Sequence, residues 1–244
     1  MFKVSFDLQE TKLNIVSDLN PVFLKEFIIS KRNELERYIA TNYNFFNSHV
    51  PLDIESESEI IKTIVEAAKI ANVGPMAAVA GTISELTLKE LLKKGSKFSI
   101  VDNGGDIAFF NQNKDIRCGI YSGNSSFSAE LGFKFKPQKS SLGLCTSSGT
   151  VGYSLSYGRA DAVSIIANKA SIADTIATAI GNSVLGKKDS EAVENGLNTA
   201  LKFEKHFIGA LIILGDRIAT IGKLPELITL KKEGISKFKE DTII

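Results

Sequence analysis

Cys145-Thr146-Ser147-Ser148-Gly149-Thr150-Val151-Gly152 and the segment that follows it, Ala162-Val163-Ser164-Ile165-Ile166-Ala167 on to Asn182, organise this chain. The first string packs four hydroxyl side chains and two glycines into eight residues. Glycine lets backbone approach a ligand closely and adopt positive φ, so the amides of such a loop can point at an anion. The second segment is a β-like run and then a helix opening Ser171-Ile172-Ala173-Asp174 and continuing through Thr178. Its N-terminus would add a positive dipole end beside the loop. The same pieces also suit ordinary strand-turn-helix packing, and the signal is compositional.

Upstream, Phe2 to Leu8 alternates apolar and polar residues, and Leu13 to Val16 continues the pattern, which predicts a hairpin. Asn20-Pro21 starts a helix expected to run to about Tyr43, with Asn20 as cap. A polar connector is expected from Asn42 to Ser58, then a helix over Glu59 to Ala71. Gly74-Pro75 breaks that helix, and another resumes from Thr82 to Lys94. Phe98 to Val101 and Ile107 to Phe110 flank Asp102-Asn103-Gly104-Gly105-Asp106, a strong hairpin signal. Ile116 to Tyr121 and Leu131 to Lys136 read as further strands. Asp189 to Lys205 reads as a helix, and Phe207 to Leu214 and Arg217 to Ile221 as a hairpin around Gly215-Asp216. Lys231 to Ile244 reads as a charged tail or a terminal strand. This order is not the regular alternation of a doubly wound fold. It predicts α+β, with helices on one face of an antiparallel sheet.

The 244 residues are enough for a real core, and no linker divides them. With 29 basic against 28 acidic residues there is no net field to draw nucleic acid or an anionic membrane. The apolar runs are too short for a membrane helix, no signal peptide is evident, and Cys118 and Cys145 make no disulfide framework. A cytoplasmic location is the default. His49 and His206 stand alone in sequence, and no nucleophile-base-acid set can be assembled. Asp174 and Thr178, four apart, would share a helix face and could hold a hard cation through oxygens. Alternatively, Ser171 with Asp174 forms a capping box, and Thr178 bonds back into its own helix.

Val73 to Gly81, Asp102 to Ile107, Cys145 to Gly152, and Ala160 to Val163 with Ala173-Asp174 and Ala177 to Asn182 resemble an uncharacterised family of the ApbE-like superfamily. The better-known relatives are the flavin transferases, which move FMN from FAD to a protein threonine using Mg2+. The resemblance runs from the first hairpin to Gly222. It implies a duplicated T-fold, with residues 1–244 as one ApbE-like domain. It further implies that Asn103, Gly104, Gly105 and Asp106, with Thr146, Ser147, Ser148 and Gly149, bind a flavin or related nucleotide. Asp174, Thr178 and the carbonyl near Ala77 would hold Mg2+. Two features depart from the transferase pattern. A lysine and an aspartate of the transferases are replaced by Ala78 and Asn72, and Tyr153 to Arg159 lacks the His-x-x-Asp-Pro segment. Three functions follow: flavin or nucleotide binding with a divalent cation, extending to transfer; a pterin- or purine-type site anchored by Asp106 or Glu85; or a non-catalytic homo-oligomeric assembly protein.

Overall fold

A computed structural model describes residues 1–123, 125, 127, 131–149 and 157–230. Thr150, Val151 and Gly152 of the opening string, Tyr153 of the departing segment, and the tail from Lys231 lie outside the described residues.

The expected hairpin forms from β1 (Phe2–Leu8) and β2 (Thr11–Ser17), in register from Phe2–Ser17 to Leu8–Thr11. Asn20 caps as expected: its side chain accepts the Val22 amide, and Pro21 takes the first position of a short 3-10 turn. Helix α1 (Leu24–Thr41) ends at Asn42, whose φ of −131° leaves helical space, and a short α2 (Tyr43–Asn47) follows inside the expected connector. Its Phe45 is fully buried and T-stacked on Tyr38, so packing overrides the polar composition. Helix α3 (Glu59–Ala71) is capped by Ser58 and stops at Asn72, a left-handed residue with φ of 54°. A 3-10 turn (Pro75–Ala78) leads into α4 (Val79–Lys93), which starts three residues before the expected Thr82.

The remaining elements are β3 (Phe98–Asn103), β4 (Asp106–Asn111), β5 (Ile116–Gly119), β6 (Leu131–Phe135), β7 (Leu142–Ser147), β8 (Ala162–Ala167), α5 (Ala170–Ser183), α6 (Asp189–Lys202), β9 (Gly209–Leu214), β10 (Arg217–Gly222) and β11 (Glu226–Thr229). Eight strands form one antiparallel sheet in the order β1-β2-β3-β4-β7-β8-β9-β10. Two strand pairs separated by helices, β1-β2/β3-β4 and β7-β8/β9-β10, occupy its two halves. The halves join where Asp106 to Phe109 of β4 pair with Cys145 to Leu142 of β7.

Side chains alternate across the sheet. Leu13, Ile15, Val101, Cys145, Ile165 and Ile212 face a core shared with the helices. Val16, Ile100, Phe109, Leu144, Ile166 and Ile213 face a second core with Ile116, Cys118, Phe133 and Phe135. The helices thus cover one face, as the element order predicts. The other face is covered by a three-stranded sheet, β11-β6-β5, that the order does not predict. Strands β5 and β6 pair with each other and drop out of the main sheet, so that β4 pairs directly with β7 at the seam.

Candidate functional site

At that seam four elements converge. The β3–β4 turn needs left-handed backbone, which Gly104 and Gly105 supply with φ of 67° and 104°. Asp102 Oδ1 accepts the Gly105 amide at 2.8 Å and fixes the turn. Asp106 follows, paired across the seam with Cys145, and its carbonyl accepts the Ser84 hydroxyl of α4 at 2.7 Å. Asn103 Nδ2 reaches the Ala80 carbonyl at 3.4 Å.

Helices α4 and α5 cap one another. The Gly81 amide, an otherwise orphaned donor of the first turn of α4, donates to Asp174 Oδ2 of α5 at 2.8 Å. In return, Glu85 Oε2 of α4 accepts the Ser171 amide at 3.1 Å and the Ser171 hydroxyl at 2.7 Å. This contact is only open to glycine. A Cβ on Gly81 would lie 2.5 Å from the Ala170 carbonyl oxygen and 2.7 Å from Asp174 Cβ, and one on Gly143 of β7 would lie 2.4 Å from Ala170 Cα. The capping-box reading of Ser171 and Asp174 therefore fails. α5 begins at Ala170, and both side chains are taken by α4 across the interface. Thr175 is the threonine that bonds back into α5, to the Ser171 carbonyl at 3.1 Å. Thr178, one turn beyond Asp174, stays half-buried.

The electrostatics follow from burial. Desolvation pushes the Asp174 carboxyl up to about 7, against the Gly81 amide that favours its charge. Burial raises Asp106 well above the carboxylate range, and the nearby Asp174 charge adds to this, while the Cys145 thiol opposes it. Two like charges close together at this partly buried site favour holding a proton on one of them. The Cys145 thiol is itself driven well up by burial and by the two aspartates, and it donates to the Ala170 carbonyl at 3.2 Å. It is a structural thiol rather than a nucleophile.

The expected residues therefore fall into two groups. Asn103 to Asp106 and Asp174 come together around the N-termini of α4 and α5. Ala77 sits in the 3-10 turn that feeds α4, its amide donating to the Gly74 carbonyl at 3.2 Å. The hydroxyl string is more committed to the framework than its composition suggests. Thr146 Oγ1 is 2.8 Å from Ser164 Oγ on β8, and the Gly149 amide donates to the Ala160 carbonyl at 2.9 Å, so that amide does not face an anion. Ser147 and Ser148 are half-buried at the strand end. Gly81, Ser84 and Glu85 carry the arrangement; Glu85 is expected from the sequence only as a pterin-type anchor, and no local signal marks the joint because its partners lie far off in sequence. A groove of about 480 Å³ lined by Ser30, Glu34, Arg37, Tyr38, Ser58 and Ile61 is built from other elements and holds none of these groups.

Among the described residues no three His, Cys, Asp or Glu side chains group into a metal centre. A cation here would rest on mixed hard donors: carboxylate, hydroxyl and main-chain carbonyl. Asp174 fits that role. One of its oxygens is taken by Gly81, and burial leaves its charge undercompensated, a cost that a bound cation would remove.

Relatives in methanogenic archaea match almost end to end. A UPF0280 protein of Methanothermobacter thermautotrophicus is 44% identical over 93% of this chain and 88% of its own. A UPF0280 protein of Methanobrevibacter smithii is 43% identical over 91% and 94%. Among solved structures, the flavin transferase ApbE of Vibrio cholerae superposes with a TM-score of 0.58 at 13% identity, covering 90% of this chain and 96% of that one. The flavinyl transferase ApbE of Pseudomonas stutzeri gives 0.58 at 11% identity, covering 90% and 93%. The fold is thus the α+β, ApbE-like duplicated T-fold. The model of the family described as AbpE bacteria matches residues 3–218, and the chain belongs to that family.

Proposed function

We propose that this protein binds a flavin or related nucleotide at the β4–β7 seam, with a divalent cation such as Mg2+ between the ligand's phosphates and Asp174. The observation that carries the reading is the meeting of Asp174, bonded to the Gly81 amide, and Asp106, bonded through its carbonyl to Ser84, at the N-terminal ends of α4 and α5 beside the Gly104-Gly105 turn, and burial raises both carboxyls in keeping with it. Helix N-termini and a glycine turn favour phosphate, but two carboxylates repel it. A divalent cation reconciles them. Asp174 with the Thr178 hydroxyl and the Ala77 carbonyl would hold it, and it would neutralise phosphate charge. Asn103 to Asp106 would border the ligand, with Ser147 and Ser148 at its far edge. The flavin transferases that share this fold support the choice of ligand.

Glu85 is occupied by Ser171, which removes one of the two anchors a pterin-type site would use. Isothermal titration with FAD and FMN, each with and without Mg2+, tests the proposal. Micromolar binding that needs Mg2+ and is lost in Asp174→Ala is expected. No heat with either flavin under any condition overturns it.

A further inference from the structure

Outside the carboxylate cluster, the structure brings together two aromatic rings that the sequence leaves 108 positions apart, His49 and Tyr157. Their centroids are 5.9 Å apart and their planes cross at 77°, an edge-to-face pair. Both rings are exposed, Tyr157 at 58%, so the pair is not a core contact.

Each ring is held by a contact with an element that carries an expected cation ligand. On the His49 side, a Cβ on Gly74 would lie 1.8 Å from the Ser48 carbonyl oxygen and 3.1 Å from His49 Cα. Only glycine admits the 48–49 backbone there, and Gly74 caps the 3-10 turn containing Ala77. On the Tyr157 side, the Tyr157 amide donates to Asn182 Oδ1 at 3.0 Å. A Cβ on the adjacent Gly158 would lie 1.8 Å from the Gly181 carbonyl oxygen. Gly181 and Asn182 are on α5, one turn beyond Thr178. Two glycine-only contacts thus clamp a pair of rings across the ends of the two segments that bear Ala77 and Thr178.

We infer that His49 and Tyr157 form the ring-recognition wall of this site and pack against the flat heterocycle of the nucleotide whose phosphates lie toward Asp174. This rests on the function proposed above and adds residues that the ApbE resemblance did not point to. An exposed, polar-tipped ring pair suits such a ligand, because flat heterocycles stack on aromatic side chains whatever their edge pattern.

Isothermal titration in Mg2+ tests it with four proteins (wild type, His49→Ala, His49→Phe and Tyr157→Ala) and two probes, FMN and inorganic pyrophosphate. His49→Ala and Tyr157→Ala should each weaken FMN about tenfold. Pyrophosphate binding should stay within twofold of wild type, and His49→Phe, which keeps a ring, should stay within about threefold of wild type for FMN. Thermal melting by circular dichroism checks that each variant is folded. Alanine variants that bind FMN like wild type overturn the inference, as does an equal loss for FMN and pyrophosphate. Failure of the wild type to bind FMN overturns instead the function on which it rests.

Discussion

Asp174 has two demands on it. Its carboxylate caps α4 through Gly81, which favours charge, yet burial beside Asp106 favours a proton and raises it from 3.8 to about 7. A raised carboxyl makes the folded state the better proton binder. Its stabilising effect is present below pH 3.8 and is lost as pH rises toward 7. Asn cannot ionise but keeps an oxygen for the Gly81 amide. Asp174→Asn should therefore raise stability at pH 8 without metal by about 1–3 kcal/mol, and the gain should vanish near pH 4. Urea unfolding at the two pH values measures this. Added Mg2+ should then stabilise the wild type and leave the variant unmoved. Asp18 shows the opposite sign. Burial raises its carboxyl, but hydrogen bonds from the Ser96 hydroxyl and the Lys97 amide outweigh that and hold it below 3.8. Its contribution is present above 3.8 and is lost as pH falls through the lowered value. Asp18→Asn should flatten the acid limb of stability in the same titration.

At the scale of elements, the α4–α5 contact is the joint on which the site depends. Gly81→Ala would place a methyl within 2.5 Å of main-chain oxygen, where no flexible side chain can give way. The helices must separate, and overpacking of this kind costs about 1–3 kcal/mol. The separation should also weaken the Gly81–Asp174 and Glu85–Ser171 bonds together. Urea unfolding should show the loss, and Mg2+-dependent flavin binding should fall even in protein that remains folded. The partners in this joint are not legible in the sequence, because Gly81 and Asp174 lie 93 residues apart. Ser171-Asp174 looks like a capping box. What is legible is local chemistry. The Asp102–Gly105 turn and the Asn20-Pro21 helix start both follow from residues that act on their own backbone. β11 escapes for the converse reason. It is a four-residue, mostly exposed edge strand whose only pairing among the described residues is with β6, so neither alternation nor turn chemistry announces it.

For the whole molecule, the repeated strand-pair/helix/strand-pair order raises the question of whether the halves are separate folding units. The packing argues that they are not. The helix-side core runs without a break from Leu13 and Val101 of the first half to Ile165 and Ile212 of the second, and the seam pairs β4 with β7 at its centre. The small sheet is tied to the same structure by Phe109 of β4, whose ring lies 4.7 Å from that of Phe135 on β6. Splitting the halves would expose both cores along the seam, and detaching the small sheet would expose Phe109, Leu144 and Ile166. The expected behaviour is therefore one cooperative transition. The two cysteines report on it from different places. Cys145 is buried at the seam and Cys118 in the small sheet, both with no exposed surface. Single-cysteine variants, Cys118→Ala and Cys145→Ala, labelled with a thiol reagent across a urea series, should give the same midpoint once each is corrected for the stability its substitution removes. That midpoint should coincide with the loss of far-ultraviolet circular dichroism. Labelling of Cys118 well before the circular dichroism change would show the small sheet opening on its own. Labelling of Cys145 first would show the halves parting at the seam, and the carboxylate site with them.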